Sequence, residues 1–289
     1  MNKLCIVCNT PESFAFTKHG YNIFQCLHCG LYRTHLPYSY RQFLKKYYAK
    51  GYFTGQANRA GYANYVDDSS AIRRNARKYL ELISKHKLVG QRLLDIGCAT
   101  GTFLAEAQKY GFKPFGIDAS SYAITQAQKV FNSQVKLGTL STVKFPPRSF
   151  DLITMFDVFE HLHDPDQDLR RCHKLLKTNG ILVINTGNTN SFLAKLEGHN
   201  WHFFIPPQHL YFYSAANLKT LLKAHGFKIL QVYTTGKHIT LRYLWHLMRT
   251  INHSELAGLF YRHFHSTFIG KISLYVNLRD NMTIIAQKI

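Results

Sequence analysis

The sequence predicts an α/β protein, with a doubly wound, mostly parallel sheet covered by helices on both faces and a small metal-stabilised module at the N-terminus. Three observations predict it. Short apolar runs alternate with helical stretches between residues 92 and 185, the pattern of a buried parallel sheet. A glycine-bounded turn, Gly97-Cys98-Ala99-Thr100-Gly101, follows the first of those runs. Two Cys-x2-Cys pairs occupy the first thirty residues.

The N-terminal pairs come first in the chain. Cys5-x2-Cys8 and Cys26-x2-Cys29 are separated by 17 residues. Each short gap lets a turn aim two thiolates at one point, and a hairpin spacer brings the turns face to face. Four thiolates suit tetrahedral zinc and leave no open position for catalysis. Asn9 and Gly30 follow the second cysteine of each pair, and both residue types tolerate the positive φ that such turns need. So short a module buries too little core to stand alone, so the metal supplies folding energy. His28, inside the second pair, reads as a solvent-facing bystander. Residues 1–35 are assigned to this zinc ribbon.

Residues 36–88 form a connecting segment with short helices, rich in tyrosine (Tyr38, Tyr40, Tyr47, Tyr48, Tyr52, Tyr62 and Tyr65). Ile72, Ala76, Tyr79, Leu80 and Ile83 fall at helical spacing, which predicts a basic amphipathic helix over 69–87 ended by Gly90. Residues 89–289 form the main domain. Its strands are predicted at Arg92–Ile96, Pro114–Ile117, Val135–Leu137, Leu152–Phe156, Ile181–Asn185, Lys228–Tyr233 and Met282–Ala286. The helices between them are Thr102–Tyr110, Tyr122–Phe131, Asp166–Leu176 and Ala215–His225. Residues 238–275 read as a helical insertion in which Leu241, Leu244 and Met248 share one face and Arg242, His246 and Arg249 another. Its apolar side is expected to cover the sheet; the alternative is a basic amphipathic helix lying on an anionic membrane.

Composition bounds the function. Hydrophobic residues make up 46% of the 289, so the chain is globular. Its net charge of +20 attracts anions: nucleic acid, an anionic membrane face or a phosphorylated substrate. No window approaches the roughly 20 uncharged apolar residues of a membrane helix, and Met1-Asn2-Lys3-Leu4-Cys5 shows no signal peptide. Paired cysteines of metal type place the chain in the reducing cytoplasm.

The glycine turn is a candidate cofactor site. Gly97 and Gly101 let backbone approach a ligand, and the free N–H groups of the following helix face a carboxylate or phosphate. Asp118 ends the second strand, where an acid accepts from both hydroxyls of a ribose. By itself this fits NAD as well as S-adenosylmethionine. The order here, however, is G-x-A-x-G, and Asp95 precedes the loop. That acid repels a pyrophosphate and suits a cationic amino group.

The string Ser149-Phe150-Asp151-Leu152-Ile153-Thr154-Met155-Phe156-Asp157-Val158-Phe159-Glu160-His161-Leu162, followed by Leu175-Leu176-Lys177-Thr178-Asn179-Gly180-Ile181-Leu182-Val183-Ile184, resembles the class I S-adenosylmethionine-dependent methyltransferases. The resemblance lies with the branch in which an acid–His–Leu triplet follows strand four, and it spans about residues 90–235. It implies a Rossmann-like seven-stranded sheet whose last strand is antiparallel. It also implies that Asp95, Gly97, Ala99 and Gly101 line the methionine end, that Asp118 holds the ribose, and that Ala119 flanks the adenine. Thr139 and Leu140 would face the adenine edge, and Phe156 and Asp157 would close the pocket. Ala99 stands where the middle glycine is usual, and Thr139 where an acid commonly reads the adenine amino group. The string Trp201-His202-Phe203-Phe204-Ile205-Pro206-Pro207-Gln208-His209-Leu210-Tyr211-Phe212-Tyr213-Ser214 and the ending Tyr275-Val276-Asn277-Leu278-Arg279-Asp280-Asn281-Met282-Thr283 resemble a subgroup that also carries an N-terminal zinc ribbon, whose members often modify small metabolites or surface-glycan precursors.

Methyl transfer asks mainly for in-line positioning, and an oxygen acceptor also needs a base. His161, His209 and Tyr211 are the candidates; the competing reading has His161 capping the fourth-strand loop and His209 packing structurally. The Trp201–Ser214 loop is expected outside the C-terminal strand ends, on the substrate side. The leading expectation is a methyltransferase acting on a small molecule or a glycan or lipid precursor. The alternative is a zinc-containing RNA methyltransferase, which charge and ribbon suit, although no N/D-P-P-Y/F string follows strand four. A third reading is a binding module that kept the fold without turnover. The missing G-x-S-x-G elbow argues against a Ser–His–Asp hydrolase.

Overall fold

Seven strands form the central sheet in a computed structural model that describes residues 3–48, 51, 68–250 and 254–289. In chain order the elements are β1 (Glu12–Lys18), β2 (Tyr21–Cys26), β3 (Tyr32–Thr34), α1 (Tyr40–Tyr47), α2 (Ser69–Ser84), β4 (Arg92–Ile96), α3 (Thr102–Lys109), β5 (Lys113–Asp118), α4 (Ser121–Phe131) and β6 (Val135–Leu137). There follow β7 (Phe150–Phe156), α5 (Pro165–Leu175), β8 (Leu176–Gly187), α6 (Phe192–Glu197), β9 (Tyr211–Phe212), α7 (Ala215–Ala224), β10 (Phe227–Thr234) and β11 (Lys237–Thr240). The last are α8 (Leu241–Thr250), α9 (Glu255–Phe264), α10 (Phe268–Lys271), β12 (Ser273–Val276) and β13 (Asn281–Lys288). Tyr52, Tyr62 and Tyr65 of the tyrosine-rich segment lie outside the described residues.

The large sheet runs β10-β13-β8-β7-β4-β5-β6. β13 is antiparallel to both its neighbours, whereas β4 pairs in parallel with β5 and β7, and β5 with β6. The order reverses at β4, so the crevice for a ligand opens at the C-terminal ends of β4 and β5. The strands are apolar throughout because helices cover both faces: Leu93, Leu94, Leu152, Ile153, Leu182 and Val183 are fully buried. Helix starts are capped as their sequences dictate. Ser120, Asp164 and Ser214 each accept from a backbone N–H of the first turn.

Three local outcomes differ from the sequence reading. α2 ends at Ser84, well before Gly90, whose bare Cα instead leaves room for the Asp151 carboxyl: a Cβ there would lie 2.7 Å from it. The segment 238–275 is bracketed by an antiparallel pair, β11 with β12, around its helices. Within it α8 is turned the other way from expectation. Its basic side faces inward, with Arg242 and His246 buried, while Met248 is exposed. The reason is Asp68, buried at the start of α2, which accepts from Arg242 at 2.7 Å and from Thr240 Oγ1 at 2.6 Å.

The N-terminal hairpin β1–β2 continues through β3 onto β9, giving a second, four-stranded sheet. Arg33 of β3 pairs with Tyr211 of β9, a strand supplied by the loop after β8. Trp201, Phe204 and Phe212 of that loop form one buried cluster with Phe16 and Ile23 of the hairpin. No helix among the described residues is long and apolar enough to cross a membrane.

Candidate active site

The turn between β4 and α3 is built from left-handed residues. Gly97, Ala99 and Gly101 have φ of 76°, 49° and 84°. Gly97 must be glycine, since a Cβ there would lie 2.3 Å from Val158 Cγ2. Backbone ties fix the coil: the N–H groups of Gly97 and Cys98 both donate to the Ile117 carbonyl. The Asp118 carboxylate at the end of β5 completes it, accepting from Ala99 N at 2.9 Å and Ser120 N at 2.8 Å. Burial nevertheless pushes the Asp118 carboxyl above its usual range.

Asp95, one strand over, is buried and accepts from Thr154 Oγ1 at 2.7 Å. Burial, and then the negative charge of Asp118, push it up to about 7. With Asp95 ionised, the two adjacent acids form a negative well in a buried crevice. A cationic ligand with a ribose fits this donor set, and a pyrophosphate does not.

Two cavities open from the turn and share Gly97, Ala99, Phe156 and Asp157 as a common wall. The first is lined by Asp118, Ala119, Thr139, Leu140 and His161. The second is lined by Asp95, Tyr79, Lys237 and Tyr243. Gly101 lines neither; its bare Cα accommodates Phe131, whose ring a Cβ would meet at 2.9 Å. Asp157 is held by Lys237, whose Nζ lies 2.6 Å from both carboxylate oxygens.

Several wall residues were not among the sequence candidates for this site. Tyr40, Leu44 and Tyr48 of the tyrosine-rich segment close the first cavity. Tyr79 of α2 stacks on Phe156 with ring centroids 4.3 Å apart. Lys237 and Tyr243 come from the far end of the chain. Tyr243 was read only as part of the 238–275 segment, and Lys237, just before it, carried no signal of its own.

Of the candidate bases, His161 alone lines one of these cavities. Its Nδ1–H donates to the Gln208 carbonyl at 2.6 Å. His209 lies behind it, with ring centroids 4.8 Å apart, and its Nδ1–H donates to the Phe203 carbonyl at 2.7 Å. Burial holds both imidazoles below their ordinary range, so both are neutral near pH 7. Glu160 stands beside them, fully buried, and was not among the candidates. Its Oε2 accepts from Thr186 Oγ1 at 2.8 Å, while Oε1 has no hydrogen-bond partner. Burial, with the Asp157 charge adding, pushes the Glu160 carboxyl up to about 8. Tyr211 is not brought to this site. It lies on β9 against the N-terminal sheet and lines a separate cleft with Glu12, Arg33 and His163. The Trp201–Ser214 loop does cover a strand end, with Phe203 seated over Gly187, but most of its aromatic rings pack against the hairpin.

Cys5, Cys8, Cys26 and Cys29 converge with all four Sγ atoms within 4.8 Å of one another. Cys5 and Cys29 are 3.5 Å apart, and Cys8 and Cys26 3.4 Å. Tetrahedral zinc with bonds of about 2.3 Å requires sulfurs roughly 3.8 Å apart, so the donor set fits that ion. Asn9 and Gly30 take φ of 57° and 76° in the two turns.

Comparison with known proteins follows the same lines. A family model described as a methyltransferase domain matches residues 68–232. A protein named ubiquinone biosynthesis O-methyltransferase, from Nitrosococcus oceani, is 29% identical over 191 residues, covering 57% of this chain and 80% of that protein. One of the same name from Bradyrhizobium diazoefficiens is 29% identical over 182 residues, covering 56% and 70%. Among solved structures, a SAM-dependent methyltransferase from Archaeoglobus fulgidus superposes with a TM-score of 0.52 at 20% identity, over 76% of this chain and 94% of that one. An S-adenosylmethionine-dependent methyltransferase from Mesorhizobium loti gives 0.51 at 16% identity, over 75% and 100%. At these identities the superpositions speak to the fold.

Proposed function

Because the chain belongs to the methyltransferase-domain family and is a class I S-adenosylmethionine-dependent methyltransferase, we propose that it methylates an oxygen of a small-molecule acceptor, bound where the two cavities meet. The carrying observation is the pair of buried acids, Asp95 and Asp118, flanking a left-handed turn at the reversal point of the sheet. The relatives' O-methyltransferase name supports oxygen as the acceptor atom.

S-adenosylmethionine, when bound, supplies an electrophilic methyl group on a sulfonium. The residues of this chain do the rest. Asp118 takes the ribose hydroxyls, with Ala119, Thr139 and Leu140 around the adenine. Asp95, Gly97 and Ala99 take the methionine end, where a carboxylate complements the ammonium. Phe156 and Asp157 form the shared wall and, with Tyr79 behind Phe156, exclude water from the reacting atoms. Lys237 fixes Asp157 in place. The acceptor's proton leaves on the side of His161, the polar ring that faces the cavity. Cys5, Cys8, Cys26 and Cys29 hold a structural zinc, which gives the hairpin its stability.

Two further features support wider assignments. Four of the six cysteines converge as a metal-type ligand set rather than as disulfides, which supports a reducing, cytoplasmic setting. Leu256, Phe260, Phe268 and Ile269 are exposed beside Arg262 and Lys271, which supports peripheral contact with an anionic membrane.

Calorimetry tests the central reading. One S-adenosylhomocysteine is expected per chain, with affinity falling about 10- to 100-fold in Asp118→Ala through loss of charge-assisted hydrogen bonds. Absence of affinity for both the nucleoside donor and its demethylated product overturns it.

A further inference from the structure

The loop after β7 and the loop before β9 bring together three groups that can each offer a lone pair to one point. They are the Glu160 carboxyl, His161 and His209, with one ligand-type atom of each lying within 4.8 Å of the others. Each group is prepared in the same way. Both imidazoles spend Nδ1–H on a backbone carbonyl, that of Gln208 for His161 and that of Phe203 for His209. A carbonyl only accepts, so the proton sits on Nδ1 and the lone pair is left on Nε2 of both rings. The carboxylate is anchored by one oxygen only, Oε2 on Thr186. Its Oε1 is fully buried without a hydrogen-bond partner, which costs free energy unless something cationic or a donor meets it. Imidazoles oriented by carbonyl acceptors, beside a carboxylate fixed by a hydroxyl, are the outer-shell arrangement that metal ligands require. The loops themselves are tied, since Leu210 N donates to the Glu160 carbonyl at 2.7 Å.

The geometry points to a second metal site in this protein: Glu160 Oε1, His161 Nε2 and His209 Nε2 bind one divalent transition-metal ion, whose remaining positions take the hydroxyl oxygen of the acceptor. Two imidazoles and one carboxylate suit zinc, iron, cobalt or manganese and leave coordination positions open, unlike the four-cysteine cluster. His161 belongs both to this triad and to the wall of the first cavity, so the open side of the ion faces that cavity. The inference rests on the proposed oxygen methylation and specifies how the acceptor loses its proton on the His161 side. Coordination releases the Glu160 carboxyl proton on metal binding and the acceptor's hydroxyl proton on substrate binding, both to water. The oxygen lone pair then forms the new C–O bond as the methyl–sulfonium C–S bond breaks and its electron pair returns to sulfur. In this arrangement the two histidines act as ligands, and no separate general base is needed.

Metal counting on the full chain tests the site. Protein equilibrated with zinc and desalted is expected to retain two ions per chain, and Glu160→Gln and His209→Gln one, that of the ribbon. Manganese, which thiolate sites bind poorly, provides a second probe. Titrated into protein whose ribbon alone holds zinc, it is expected to bind one per chain by electron paramagnetic resonance, and about 100-fold more weakly in either variant. S-adenosylhomocysteine affinity, measured on the same samples, is expected to stay within a few-fold of the wild type, which shows that the variants are folded. A wild type that retains one zinc and binds no manganese overturns the proposal, as do variants that bind metal like the wild type. Loss of nucleoside affinity with metal binding intact would strike the cofactor reading instead and leave this site standing.

Discussion

Asp95 is where a single side chain sets the pH response. Its carboxyl is held up to about 7 by burial and by the neighbouring Asp118 charge. An acid raised in the folded state keeps its proton there while the unfolded chain has lost it. Stability from this group is therefore full below about pH 4 and declines as pH rises toward the folded value. Binding runs in the opposite sense. A ligand ammonium needs the carboxylate, so the proton must leave first. S-adenosylmethionine affinity is expected to rise about 10-fold between roughly pH 6 and pH 8. Calorimetry across that range, in buffers of different ionisation enthalpy, reads both the affinity and the released proton. In Asp95→Asn the pH dependence should flatten; a slope equal to the wild type would assign the proton to another group.

At the scale of elements, the β4–α3 turn and the β7 loop are shaped against each other. Gly97 lies at φ 76° with Val158 Cγ2 2.3 Å from where its Cβ would be. Gly97→Ala therefore combines left-handed strain with a clash, at a cost of about 1–3 kcal/mol. Denaturant unfolding should show that loss, and cofactor affinity should fall with it. The double variant Gly97→Ala with Val158→Ala should recover the steric part and leave the backbone part. A Gly97→Ala protein as stable as the wild type would contradict the geometry. The residue types at this turn were legible because glycine spacing and terminal acids are local signals. The contribution of α1 and α2 to the cavity walls was not, because only tertiary packing brings Tyr40, Tyr48 and Tyr79 against the turn.

For the whole molecule, the four-cysteine hairpin and the main domain share one structural joint. β3 pairs with β9, and the loop carrying β9 also carries His209. Chelating the zinc, or Cys26→Ser, should raise amide exchange through β1–β3 and spread it into residues 201–212, while β4, β7 and β8 stay protected. Exchange confined to the hairpin would mean that the joint carries no coupling. The exposed apolar side chains of α9 and α10 define a second whole-molecule property. Sedimentation with anionic vesicles should pull the protein down at low salt, less so in Phe268→Glu, and least with neutral lipid. Equal sedimentation with neutral lipid would remove the electrostatic part of that reading.

The alternation of apolar runs and helical stretches was sufficient for the sheet, because burial on both faces leaves a continuous apolar signature in each strand. Cysteine spacing was sufficient for the four-thiol cluster, and the glycine turn with Asp95 and Asp118 for a crevice at the strand ends, because each depends on neighbours close in sequence. What the sequence misjudged depends on contacts between distant segments. α8 turned its basic side inward because Asp68 lies buried opposite Arg242, 174 residues away. Tyr211 went to the N-terminal sheet because β3 offered it an open edge. Glu160 and His161, adjacent in sequence, meet His209 only because the loop before β9 packs against the loop after β7. Sequence periodicity reports which face of an element is apolar; which buried polar groups meet across the core is decided by the long-range pairing that closes the chain on itself.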